Sequence, residues 1–207
     1  MITKPYINKS IELAEAGLPA DIPIVEGLSS NKIRRLLNWL CSADDINYLE
    51  IGVHRGSTFI PALWDNDAVG TCIDIWDSHW ALKDAQRVDL ETNLEEWLPG
   101  RPVNIIEHDM FTVDLTLIPP NVNVFFFDGP HDRDAQYQAF AYYDPVFADR
   151  FVALVDDWNN IESKEETRRA FKDLGYKVRA EWELPGTPCR DEARWWNGLY
   201  VAMVEKA

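Results

Sequence analysis

Apolar and polar positions along this chain follow two rhythms in alternation. Short apolar runs at Asn47 to Gly52, Val69 to Ile75, Val103 to Glu107, Val122 to Asp128 and Phe151 to Asp156 have the length and β-branched or aromatic content of buried strands. Between them, Gly56 to Trp64, Ala81 to Trp97, Asp132 to Phe147 and Lys164 to Leu174 read as helices. Two further helices are predicted upstream, over Ile2 to Gly17 and Ser29 to Cys41. In the second, Ile33, Leu36, Leu37 and Leu40 form an apolar stripe and Ser29 stands where an N-cap belongs. Strand and helix in strict turn predict an α/β fold with a doubly wound parallel sheet. The end of the chain breaks the alternation, because Tyr176 to Leu184 and Leu199 to Glu205 read as two strands joined by a loop. That loop holds Pro185, Gly186, Pro188 and the pair Trp195-Trp196. The expectation is a mostly parallel, seven-stranded sheet that ends in an antiparallel hairpin.

At 207 residues and 46% hydrophobic, the chain can bury one sizeable core. A single domain over 1–207 is expected, with a helical cap over 1–45 and an α/β core over 46–207. No window approaches about 18 uninterrupted apolar residues, and Met1 to Ser10 lacks the basic-then-apolar pattern of a signal peptide. These features predict a cytoplasmic protein with no membrane partner. Cys41, Cys72 and Cys189 are isolated and odd in number, which fits reduced thiols better than a disulfide or zinc framework. A net charge of -15 repels a phosphate backbone, so nucleic acid is a poor partner unless the basic residues cluster in space, and a small neutral or cationic molecule is favoured. A homo-oligomer is left open.

The chemistry concentrates in Tyr48-Leu49-Glu50-Ile51-Gly52-Val53-His54-Arg55-Gly56-Ser57-Thr58. A buried strand delivers Glu50, then two glycines four apart, then hydroxyl residues at a predicted helix start. Such a turn lets a ligand approach bare backbone at Gly52 and Gly56 and points helix N–H groups at it. It lacks the G-x-G-x-x-G of a dinucleotide site and the G-K-[ST] of a P-loop. Glu50 would repel a pyrophosphate, yet suits a ribose or a cationic group. In open α/β sheets ligands bind at the carboxyl ends of the strands. Acidic residues fall there repeatedly: Glu50, Asp74 with Asp77, Asp109, Asp128, and Asp156 with Asp157. Each alone has an ordinary explanation as a cap or strand end; together they line one edge.

The motif Glu50-x-Gly52-x-x-x-Gly56-x-Thr58, the run Phe125-Phe126-Phe127-Asp128-Gly129-Pro130-His131 and the later Val155-Asp156-Asp157-Trp158 resemble the class I S-adenosylmethionine-dependent methyltransferases. Within these the chain looks most like the metal-dependent macrocin and macrolide-sugar O-methyltransferases and the cephalosporin-hydroxylase-like proteins. The resemblance covers roughly Glu26 to Trp158 and implies the Rossmann-like methyltransferase fold. It implies that Glu50, Gly52 and Gly56 form the cofactor turn and that Asp74, 18 residues after Gly56, holds the ribose hydroxyls. Asp109 would lie near the adenine, and Trp76 would either stack on its face or pack in the core. Ser57 would cap the helix or touch the methionine carboxylate. The segment Glu26-Gly27-Leu28-Ser29 would close over the methionine part.

Methyl transfer from a sulfonium needs an oxygen nucleophile that has shed its proton. By the same resemblance Asp128, Asp156 and Asp157 would bind Mg²⁺, with Asp128 at both the cofactor and the reacting centre, and His131 would be the general base. The chain departs from the catechol-type relatives, which often carry Asp-Asn where Asp156-Asp157 stands, and from the macrolide-sugar type, where the first position is often Glu. His54, His79 and His108 are expected to be structural or solvated. Trp158, Trp195 and Trp196 would either wall an apolar acceptor pocket or, as most of the nine tryptophans do, pack in the core or an interface. The implied function is S-adenosylmethionine-dependent O-methylation of a small-molecule hydroxyl, on a sugar or a phenolic natural product. Two rivals stand beside it: a non-catalytic nucleoside-binding module, and a metal-dependent enzyme of the cephalosporin-hydroxylase-like type.

Overall fold

The computed structural model describes residues 2–76, 83–187 and 194–207, so Asp77, His79, Pro188, Cys189 and Arg190 lie outside the described residues. Helices α1 (Lys4–Glu15) and α2 (Asn31–Cys41) precede β1 (Asn47–Ile51), α3 (Phe59–Leu63), β2 (Val69–Asp74), α4 (Lys83–Trp97) and β3 (Asn104–Glu107). The second half holds β4 (Val122–Phe127), α5 (Arg133–Tyr143), β5 (Phe147–Val155), α6 (Ile161–Asp173), β6 (Lys177–Leu184) and β7 (Leu199–Glu205). The seven strands form one sheet in the order β3-β2-β1-β4-β5-β7-β6. β1 to β5 pair in parallel, and β7 runs antiparallel to both β5 and β6. The expected doubly wound sheet with a hairpin finish is therefore present. The chain reverses its direction of winding between β1 and β4, which places the topological switch point there.

The run Phe125-Phe126-Phe127 shows why a central parallel strand is apolar at every position. Phe126 packs with Leu36, Leu40 and Phe59 on the face covered by α2 and α3, whereas Phe125 and Phe127 pack with Phe140 and Phe171 on the α5 and α6 face. All three are fully buried.

Several boundaries differ from the sequence reading for identifiable reasons. Ser30, not Ser29, caps α2, its Oγ accepting from Ile33 N at 3.3 Å. The helix expected from Gly56 begins only at Phe59, because Gly56 has φ +84° and cannot join a right-handed helix. Pro145 stops α5 early, and a short 3₁₀ turn over Asp144–Val146 lets β5 start at Phe147, inside the segment read as helix. Asn160 caps α6, which therefore starts three residues before Lys164; its Oδ1 accepts from Glu162 N at 2.9 Å.

Candidate active site at the carboxyl edge of the sheet

Four backbone hydrogen bonds continue the sheet just past the strand ends: His108 N to Asp74 O (3.1 Å), Gly52 N to Ile73 O (2.9 Å), Asp128 N to Ile51 O (2.9 Å) and Asp156 N to Phe127 O (3.0 Å). They hold Asp74, Gly52, Asp128 and Asp156 along a single edge across the switch point. Gly52 (φ +88°) is required there, since a Cβ would overlap the carbonyl of Asp128 and come within 3.2 Å of Gly129 N. At Gly56 a Cβ would meet Leu90 and Ile60 at 2.8 and 2.9 Å. The space a Cβ would occupy at each glycine is thus taken by protein atoms.

Glu50 also differs from expectation. It has no exposed surface, its Oε1 accepts from Thr58 Oγ1 at 2.6 Å, and its Oε2 accepts from the hydroxyl of Tyr48. Both oxygens are therefore taken up by hydroxyls of the protein. Burial pushes its carboxyl up to about 8, against the pull of the two hydroxyl donors, and nearby Asp74 and Asp156 add to the rise. Glu50 ties the strand to the helix start from beneath. The upper side of the turn is tied by Asp74, whose two oxygens accept from His54 N (2.8 Å) and Trp76 N (2.7 Å).

Trp76 is 1% exposed and donates from Nε1 to His54 O at 2.8 Å, with the Arg87 guanidinium 5.0 Å over its ring. Of its two expected roles, core packing is the one seen. Ser57 makes no cap; its carbonyl accepts from Nε of the buried Arg34 at 3.0 Å. Gly27 packs so closely that a Cβ would overlap Ser57, which brings the Glu26 to Ser29 segment onto the turn. Asp109 is exposed, and Oδ1 accepts from Phe111 N at 2.8 Å, an ordinary turn contact. Cys41 and Cys72 are free and buried, and burial pushes both thiols up.

The acidic cluster does assemble. Asp128 and Asp156 stand side by side, and each carboxylate disfavours ionisation of the pair. Burial, reinforced by neighbouring carboxylates, raises Asp128 well above the usual range and Asp156 to about 7. One buried oxygen of Asp156, Oδ1, has no partner. His131 sits beside the pair, with Nε2 3.3 Å from Asp157 Oδ2 and 3.9 Å from Asp128 Oδ1. Burial lowers its pKa more than Asp157 and Asp132 raise it, so the ring is held neutral. The arrangement differs from the expected metal cage: among the described residues, no group of three or more His, Cys, Asp or Glu side chains is placed to hold a metal ion.

Two residues that the sequence reading missed complete the cluster. Asn197 donates to Asp157 Oδ1 at 2.7 Å, and the fully buried Gln136 contacts His131 Nδ1 at 3.3 Å. Nothing in their spacing marks them. They are brought in by the hairpin and by the inner face of α5. Trp158, Trp195 and Trp196 are all buried, Trp158 in a stack on Tyr200 with centroids 4.0 Å apart, so they belong to the core rather than to a pocket wall. Two clefts of about 560 and 840 Å³ lie at the opposite, amino end of the sheet, around Asp44 and Asn47 and around Phe151 and Met203. Neither touches the carboxylates.

No family model matches the sequence, and neither does any curated protein. Solved structures do match over nearly the whole length. An O-methyltransferase from Bacillus cereus in complex with SAH aligns with TM-score 0.61 at 13% identity, over 99% of this chain and 93% of that one. An SAH-bound methyltransferase from Podospora anserina aligns at 0.62 and 14% identity, over 100% and 89%. The protein has the methyltransferase fold. A precorrin-6y C5,15-methyltransferase from Geobacter metallireducens (TM-score 0.61, 15% identity, 91% and 95% covered) has it too, so the fold is shared by enzymes of different acceptors. No helix among the described residues is long and apolar enough to cross a membrane.

Proposed function

We propose that the protein is an S-adenosylmethionine-dependent O-methyltransferase that acts on a hydroxyl of a small molecule, a sugar or a phenolic natural product. The observation that carries this reading is the cluster of Asp128, Asp156, Asp157 and His131, one strand away from the Gly52 turn and on the same edge as Asp74. Asp74 retains acceptor capacity beyond its two backbone donors and would take the ribose hydroxyls. Asp109 and the rim near Trp76 flank the adenine side, with Ser57 and the backbone of Gly52 and Gly56 beneath the methionine part. S-Adenosylmethionine supplies an electrophilic methyl group. The chain orients the acceptor oxygen toward it and takes the hydroxyl proton on the pair formed by His131 and Asp157. As the C–O bond forms, the C–S electron pair returns to sulfur and neutral S-adenosylhomocysteine leaves.

A divalent ion is the finer part of the proposal. The carboxylates match a hard cation in donor type, and a buried Asp156 oxygen is without a hydrogen-bond partner among the described residues. Their present geometry is not a cage, so every step above is assigned to the protein's own groups. Calorimetry with S-adenosylhomocysteine tests the cofactor: binding supports the reading, and tight binding of NAD⁺ without response to S-adenosyl compounds ends it. Methyl transfer to a responsive hydroxyl acceptor, measured with chelator and again with Mg²⁺ restored, tests the ion. Full activity in the chelator removes it.

A further inference from the structure

We infer that Arg34 is a positioning residue for the cofactor turn: its guanidinium ties residues 25–29 to the carbonyl of Ser57, so the two stretches hold one another and cofactor affinity depends on a side chain of α2. This rests on the proposed use of the turn over 52–58 for S-adenosylmethionine, although the tie itself stands without it. Arg34 is 2% exposed. A guanidinium keeps its charge in a protein, and burying that charge is costly unless its donors find acceptors. Here Nε donates to Ser57 O at 3.0 Å, Nη2 to Val25 O at 3.1 Å and Nη1 to Asn31 Oδ1 at 2.8 Å. The sequence explains the first of these. In a helix the carbonyl of Ser57 would accept from the N–H four residues on, but that residue is Pro61, which has none. Its neighbours obey the rule, with Ile60 N donating to Gly56 O and Ala62 N to Thr58 O, both at 3.0 Å.

Filling one orphaned carbonyl does not call for a buried charge. One turn further along the same face of α2, Asn38 serves the carbonyls of Pro61 and Trp64, at 2.8 Å each, with a neutral amide. What the planar fork adds is reach to a second segment, because its donors leave in fixed directions and can hold carbonyls of two chain stretches at once. The second carbonyl, Val25 O, opens the segment in which Gly27 packs so closely that a Cβ would overlap Ser57. The ion pair of Arg55 with Glu26, 3.2 Å long, joins the same two stretches, but the Glu26 side chain is 88% exposed and the pair contributes little. Arg34 is thus the polar link that holds residues 25–29 against the turn. Loosening it releases Ser57, and with it the backbone on which the proposed cofactor site stands.

The test combines Arg34→Met with Pro61→Ala, since an alanine at 61 returns an N–H to Ser57 O and so removes the purely structural need. In Arg34→Met, amide hydrogen exchange of the full chain should quicken in both 25–29 and 53–58. Calorimetry on the same variant should show S-adenosylhomocysteine binding weakened at least about fivefold, the lower end of ordinary coupling between sites. Adding Pro61→Ala should recover much of the lost stability in urea while the weakened binding and the fast exchange in 25–29 persist. Recovery of full affinity by Pro61→Ala would mean that Arg34 only fills an orphaned carbonyl, and unchanged affinity in Arg34→Met would likewise overturn the inference. Should neither variant fold, the wild type decides: S-adenosylhomocysteine should slow exchange in 25–29 together with 53–58, and protection of the turn alone overturns the tie. Wild-type protein that binds no S-adenosylhomocysteine sinks the proposed function instead, and exchange in Arg34→Met that quickens in only one of the two stretches then removes the tie as well.

Discussion

Replacing Glu50 by Gln should change how stability depends on pH and leave the fold intact. The side chain is fully buried between Tyr48 and Thr58, and a glutamine can keep both contacts, its carbonyl accepting from Tyr48 and its amide donating to Thr58 Oγ1. In the folded protein the carboxyl is raised from 4.5 to about 8, mainly by burial. The folded state therefore binds a proton that the unfolded chain releases above its own pKa. Stability from this proton is fully present below the unfolded pKa and is lost as pH rises through the folded one. At about 1.4 kcal/mol per pH unit, the loss across this window is on the order of 5 kcal/mol, a large share of a typical domain's stability. Urea unfolding followed by tryptophan fluorescence should show the wild type weakening from about pH 5 to pH 8, and Glu50→Gln weakening less, the remaining slope coming from the raised carboxyls of Asp128 and Asp156. The two curves should separate most at alkaline pH. Parallel curves with a constant gap would mean that Glu50 is ionised in the folded protein, and the buried neutral carboxyl would have to be abandoned.

Gly52→Ala should cost roughly 2 to 5 kcal/mol, combining left-handed strain with overlap against the Asp128 backbone. Gly100→Ala, at φ +73° with open space around it, should cost only about 1 kcal/mol, and equal losses in denaturant unfolding would refute the overlap. Asp74→Ala should weaken S-adenosylhomocysteine binding in calorimetry by at least about tenfold, as removal of a charged acceptor does; unchanged affinity would clear Asp74 of any ribose role. Truncating Trp195 and Trp196 to Ala should destabilise by about 3 to 5 kcal/mol each, because both are core residues, and a stable variant that has lost only acceptor binding would reinstate them as pocket walls.

The sheet was legible because its central strands are apolar on both faces and each ends in a polar or glycine residue. Phe125 to Asp128 needs no partner to be recognised as a buried strand with something at its end. The acids could be assigned to one edge for the same reason, since strand ends of a parallel sheet share a side. What the sequence could not disclose was which way each side chain turns. Glu50 occupies a strand position one residue before the turn, so it points into the core under α3 instead of toward a ligand, and only the contacts with Tyr48 and Thr58 reveal it. Trp195 and Trp196 sit in a segment read as loop, yet the closeness of Gly186 and Gly198 to the neighbouring backbone packs that segment into the protein. Gln136 and Asn197 were invisible because amides carry no spacing signature.

The antiparallel finish has a direct bearing on the site. In a wholly parallel sheet, a strand beside β5 would present its carboxyl end to the acidic edge. Because β7 runs the other way, its start arrives there instead, with the tight segment Trp195 to Gly198 leading into it. Trp158 N donates to Gly198 O at 3.0 Å and Asn159 N to Asn197 O at 2.9 Å, so the chain just past β5 is clamped by main-chain bonds. Asp157 lies at the head of this clamp with φ +51°, a left-handed conformation that aspartate tolerates better than most residues but that still needs support. The Asn197 side chain supplies part of that support by holding Asp157 Oδ1, which leaves Oδ2 directed at His131. Two adjacent acids thereby acquire different surroundings: Asp156 is buried beside Asp128, and Asp157 turns to the imidazole. A parallel strand in place of β7 would bring neither the clamp nor the amide, and the division between the two carboxylates would have nothing to enforce it.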